Sequence, residues 1–173
     1  MKTVKCIRQS GFLRSLLKRR NFASLMELYE SNYELLDRLI PDLDKLPRSV
    51  VSHVPGSKDL YLTILERCKY TTSILLTYYF EVSEQSKIAD PDLVIRIYHD
   101  TRQAEAMACR RTGFMPAEHG PDNQKPFLDC RWESNIFVQK WLQYSLAQGH
   151  RLALETVQCV DVPEVNGLEI IPE

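Results

Sequence analysis

Tyr98-His99-Asp100 sets a phenol, an imidazole and a carboxylate side by side. Imidazole titrates nearest neutrality, so a histidine beside an acid and hydroxyls can move protons near pH 7. Glu66, Tyr70 and Thr71 carry further groups of this kind. If the segments around them are hairpins, the tips at Lys69 and Asp100 fall at the same end of a sheet. Glu66, Tyr70, Thr71, Tyr98, His99 and Asp100 then gather on one rim as candidate ligand- or partner-binding residues. The competing account is turn structure alone. Asp bonds its own backbone at tight turns, and His tolerates the unusual dihedrals there.

Little else in the chain suggests chemistry. His53, His119 and His150 are isolated, without metal-ligand spacing, so neither a metal nor another cofactor is expected. The cysteines, Cys6, Cys68, Cys109, Cys130 and Cys159, form no C-x-x-C pair. They read as free thiols in a reducing compartment, which makes a cytoplasmic location the expectation. Cys130 beside Arg131 is a weak thiolate candidate, and Trp132 and Trp141 read as core and rim aromatics.

The elements that must position the rim are clearer. Alternating apolar residues predict strands over Leu60–Glu66, Thr71–Phe80, Leu93–His99 and Arg102–Arg110, with Ser49–Val54 as a short edge strand. Very short joints between successive strands require antiparallel pairing. Tyr61, Leu65, Leu75 and Tyr79 would leave an apolar strip on the second sheet face. Ala104, Ala106 and Ala108 share a face, and such small side chains let a helix come close. Glu81–Pro91 reads as a polar flap and Gly113–Cys130 as an irregular loop.

Two segments have helical spacing. From Phe22 to Ile40 large apolar residues recur every three or four positions, with Asn21 as N-cap and Pro41 as the stop. Ser31-x-x-Glu34 also fits a capping box, so two shorter helices are the alternative. The second helix is predicted over Glu133–Gln148, ended by Gly149. Beyond it, Leu152, Leu154, Val157, Val160 and Val162 suit one added strand or a wrapping arm.

With 173 residues, 44% apolar and 26% charged, the chain has the composition of one globular domain. A net charge of -1 gives no global attraction to nucleic acid or membrane. Residues 1–20 form a basic arm, 21–149 the domain and 150–173 an acidic tail. No membrane span or secretory leader is expected, and nucleic acid would bind only through the basic arm.

Tyr61-Leu62-Thr63-Ile64 leading to Tyr70-Thr71-Thr72, then Val94-x-x-x-Tyr98-His99-Asp100 with Glu105, resembles the bacterial YqiB-like family. The closing helix is similar too, with Asn135, Phe137, Trp141-Leu142, Tyr144, Leu146 and Gly149 at matching spacing. The likeness runs from about Phe22 to Gly149. It implies a domain of unknown function, with no catalytic residues to carry over.

The expectation is therefore an α+β domain: a mainly antiparallel, curved sheet of about five strands, with an N-terminal and a C-terminal helix on its alanine face. The leading function is a non-catalytic binding or regulatory module. It would meet a protein or small molecule, or dimerise, through the free sheet face, the flap or the charged arms. The alternative is a small nucleotide- or metabolite-binding enzyme centred on His99, Asp100, Tyr70 and Thr71.

Overall fold

Strand formation follows the alternation. In the computed structural model, which describes residues 21–83, 86–109 and 127–160, β1 (Ser49–Ser52), β2 (Leu60–Arg67), β3 (Thr71–Ser83), β4 (Ser86–Ala89), β5 (Leu93–Tyr98), β6 (Gln103–Cys109) and β7 (Gln158–Cys159) form one sheet. The order is β6-β5-β3-β2-β1-β7, with β4 paired to the far end of β3, and every pairing is antiparallel. The class is α+β, as expected.

One sheet face builds the core. Leu60, Leu62 and Ile64, Ile74 and Leu76, Leu93, Ile95 and Ile97, and Ala104 and Ala106 lie in successive strands of it. Each such Leu or Ile taken out of water contributes about 1.5–3 kcal/mol. Helix α1 (Phe22–Leu39) and helix α2 (Phe127–Ala147) cover this face with Leu35, Leu36, Leu39, Val138, Trp141 and Leu142. The alanine row has the predicted consequence: both helices pack against β6, and Ala104 and Ala106 are wholly buried.

Helix α1 is continuous, so the break at Ser31 does not occur. Asn21 Oδ1 accepts from the Ser24 N–H at 2.9 Å and caps the helix. Ser31 points its hydroxyl at α2, accepting from Gln139 Nε2 at 2.8 Å. Gly149 takes φ 92°, and the Gly149 and His150 N–H groups donate back to Leu146 and Ser145. This left-handed stop ends α2 as expected.

Four expectations need correction. The sheet has seven strands where about five were expected. The Glu81–Pro91 flap is largely strand, because β3 continues to Ser83 and β4 pairs back on it in nearly the register that β5 uses. Phe80, Val82 and Ile88 are exposed on this ribbon. Helix α2 begins at Phe127, inside the predicted loop, because Trp132 and Leu128 pack on Leu25, Leu28 and Tyr29 of α1. The fourth concerns the apolar strip, which is not an open surface. Leu75 is buried, Tyr61, Leu65 and Tyr79 are half-buried, and the rings of Tyr61 and Tyr79 meet edge-to-face at 4.8 Å.

The added strand after α2 is β7, paired with β1. The basic arm, residues 110–126 and the tail from 161 lie outside the described residues. Among the described residues, no helix is long and apolar enough to cross a membrane.

Candidate functional site

Register decides which rim groups meet. Thr71 pairs with Tyr98 and Thr72 with Ile97, and the His99 N–H donates to the Tyr70 carbonyl at 2.9 Å. The β2–β3 and β5–β6 turns therefore stand side by side, as the hairpin argument requires. Alternation then divides the candidates between two faces. His99 continues the Ile95–Ile97 row toward the helices, and its Nε2 lies 2.9 Å from the hydroxyl of fully buried Thr72. Thr71 and Tyr98 belong to the opposite face.

The six candidates thus do not form one cluster. Tyr98 donates its hydroxyl to Glu105 Oε1 at 2.7 Å. Burial, then the Glu105 carboxylate, raise its pKa. Asp100 Oδ1 accepts from the Thr101 N–H at 2.9 Å, the self-capping expected of a turn aspartate. Glu66 accepts a long bond from Cys68 Sγ at 3.5 Å, and Tyr70 is exposed with Lys69 Nζ 4.8 Å from its ring centre. Of the six, His99 alone lines the cavity beside α1.

That cavity encloses about 290 Å³ between the end of α1, the following loop and the end of β5. Tyr33, Leu36, Asp37 and Ile40 contribute to it at three- and four-residue spacing, one stripe of α1. Pro41 ends the helix, and a 3-10 turn at Leu43–Lys45 carries Asp42, Asp44 and Lys45 to the lip. Arg67, on the inner face of β2, donates to the Leu43 carbonyl at 2.8 Å and the Leu46 carbonyl at 3.3 Å. This ties the lip to the sheet. Ile97 and His99 close the opposite wall.

The arrangement is a concave site whose exposed lining is more polar than apolar, with Leu36, Ile40 and Ile97 set among three carboxylates, a lysine, a phenol and an imidazole. Thr72 fixes one imidazole nitrogen, and among the described residues no hydrogen bond reaches the other. None of the His, Cys, Asp and Glu groups among the described residues clusters with metal-binding geometry.

Sequence reasoning found His99 but missed Thr72 and the whole acidic wall. The signal for Thr72 was parity: Thr72, not Thr71, shares the Ile74–Leu76 face. The wall had only Asp42-Leu43-Asp44-Lys45 following a helix-ending proline, with nothing to connect it to His99.

A second polar group sits away from the cavity. Arg131 Nη1 donates to Glu105 Oε2 at 2.6 Å, beside Tyr29. Burial pushes Tyr29 up to about 12, with Glu105 adding to the rise and Arg131 opposing it. Burial works against the Arg131 charge, but Tyr29 and Glu105 outweigh it and raise its pKa. The group holds α1, α2, β5 and β6 together.

Residues 35–151 match the family described as "Protein of unknown function (DUF1249)". The chain belongs to that family. It is also similar to "Uncharacterized protein YqiB" of Escherichia coli strain K12, 32% identical over 130 residues that cover 75% of this chain and 91% of the relative. The YqiB proteins of E. coli O6:H1 and O157:H7 match to the same extent. The YqiB-like resemblance is thereby borne out. No solved structure matches. The family span includes Asp37, Asp42, Asp44 and His99, while Tyr33 precedes it.

Proposed function

We propose that this protein is a non-catalytic binding module for a small metabolite, held in the cavity between α1 and His99. The observation that carries this reading is the cavity itself. His99 there shares one concave lining with Leu36, Ile40 and Ile97 and with Asp37, Asp42, Asp44 and Lys45. The other expected surfaces carry less. The second sheet face is largely shielded, and Asp100 is engaged by its own turn.

A nucleotide-processing role fits less well. Asp37, Asp42 and Asp44 line the cavity against a single Lys45, which opposes a polyphosphate. Of the four residues named for a catalytic rim, only His99 reaches this space.

The test is a thermal-shift screen of metabolites against the wild type, His99→Ala and Thr71→Val. A cavity ligand raises the melting temperature of wild type and Thr71→Val but not of His99→Ala. Stabilisation lost in Thr71→Val and kept in His99→Ala would move the site to the opposite sheet face. Turnover of a stabilising nucleotide, abolished in His99→Ala, would make the protein an enzyme.

A further inference from the structure

The charge lining the cavity is mostly of one sign. Asp37, Asp42 and Asp44 contribute carboxylates. Asp42 has a long contact with Lys45 at 3.5 Å, whereas among the described residues no hydrogen bond or ion pair reaches Asp37 or Asp44. Helix α1 ends at the same wall with its C-terminus, the negative end of its dipole. An aromatic wall stands beside them, and it already holds a cation. The guanidinium carbon of Arg102 lies 5.5 Å from the centre of the Tyr33 ring. Arg102 reaches it from the β5–β6 turn with φ 53°, a left-handed conformation uncommon for a long side chain.

We infer that the cavity takes a small organic cation, an alkylammonium or guanidinium on a short apolar stem, and that Arg102 is a built-in competitor for the Tyr33 ring. This rests on the cavity being a ligand site. Leu36, Ile40 and Ile97 accept the stem, while the carboxylates and the ring accept the charged head. His99 suits the same ligand. The tautomer that donates from Nε2 to Thr72 leaves Nδ1 as an acceptor. About 290 Å³ lies at the lower end of small-molecule sites and leaves room for a ligand of amino-acid or diamine size.

The experiment is an NMR titration of labelled full-length protein with 1,4-diaminobutane, methylguanidinium, butane-1,4-diol, succinate and AMP, following Tyr33 and His99. The two cations are expected to shift both residues, and the diol, succinate and AMP are not. Arg102→Gln should tighten diaminobutane binding by about 2–5-fold, the strength of an exposed cation–π contact. Asp37→Asn with Asp44→Asn should weaken it by about tenfold or more, as for loss of two nearby charges. Amide spectra of each variant verify the fold.

Equal or stronger shifts from the diol, succinate or AMP would overturn the cation assignment and leave the cavity as a site. Cation binding that ignores the Asp37/Asp44 change would also overturn it. Unchanged or weaker affinity in Arg102→Gln would remove the competitor role. Silence from all five probes at Tyr33 and His99 would overturn both the cation assignment and the cavity reading.

Discussion

His150 is 2% exposed, and each of its ring nitrogens faces a serine hydroxyl: Nδ1 to Ser52 at 3.1 Å and Nε2 to Ser57 at 3.3 Å. Tyr78 packs alongside, its ring 6.0 Å away centre to centre. Burial lowers the His150 pKa below 6.5, and His53 adds to that. The Lys58 backbone bond and Asp59 oppose the shift without reversing it. The folded state therefore binds fewer protons here than the unfolded state. Its contribution is full above the unfolded pKa of about 6.5 and is lost as pH falls through the folded value. Thermal unfolding should show a midpoint that declines below about pH 6.5. His150→Gln should flatten that decline, while costing about 1 kcal/mol at neutral pH through lost hydrogen bonds. An unchanged acid-side decline in this variant would assign it to another group. Glu105 and Arg131 meet with side chains only 10% and 24% exposed. A double-mutant cycle with Glu105→Gln and Arg131→Leu should show coupling of about 1–3 kcal/mol, above that of a surface pair. Coupling near zero in urea unfolding would make the contact incidental.

At the scale of elements, β6 is the edge of the main sheet, and an edge strand exposes backbone groups to stray pairing. Here α2 supplies a substitute partner. Asn135 Oδ1 accepts from the Ala106 N–H at 2.9 Å, and Asn135 Nδ2 donates to the Arg131 carbonyl at 2.8 Å. Asn32 of α1 reaches the same side chain, its Nδ2 3.3 Å from Asn135 Oδ1. Two helices and a strand are thus joined by two buried amides. Asn135→Ala should leave the Ala106 N–H buried without its acceptor and cost about 1–3 kcal/mol. Chemical denaturation measures the cost directly. A loss under half a kilocalorie would mean that water replaces the amide.

Whole-molecule packing extends past the predicted end of the domain. Leu152 is fully buried, and its N–H donates to the Leu39 carbonyl at 2.7 Å, which fastens the chain after α2 to the end of α1. Leu152→Ala should cost about 2–5 kcal/mol, the range for truncating a buried leucine. Because Leu39 ends the helix that lines the cavity, the same variant should also weaken any ligand found there. Calorimetric unfolding and titration read the two effects separately.

Much of this architecture is legible in the residues alone. The alternation from Leu60 to Cys109 determines strands, because side chains in extended chain point to opposite faces in turn. Asn21 and Gly149 mark helix ends through local backbone chemistry, and Ala104 and Ala106 mark where a helix can lie close. The start of α2 was not legible. Pro126, just before it in sequence, suits a helix beginning as readily as a loop, and the α1 surface that Trp132 covers is distant along the chain. The ribbon over Glu81–Ala89 was hidden because its polar composition imitates a loop, and pairing decides such segments. The candidate site shows the same division. That His99 stands at a hairpin end, and that Asp42 and Asp44 follow a helix stopped by Pro41, is readable from the residues. That Thr72 rather than Thr71 meets the imidazole, and that the acidic loop lines the same cavity as His99, depends on the three-dimensional packing. Cross-strand register and helix placement depend on contacts summed across the whole chain, and a one-residue slip sends a side chain to the other face.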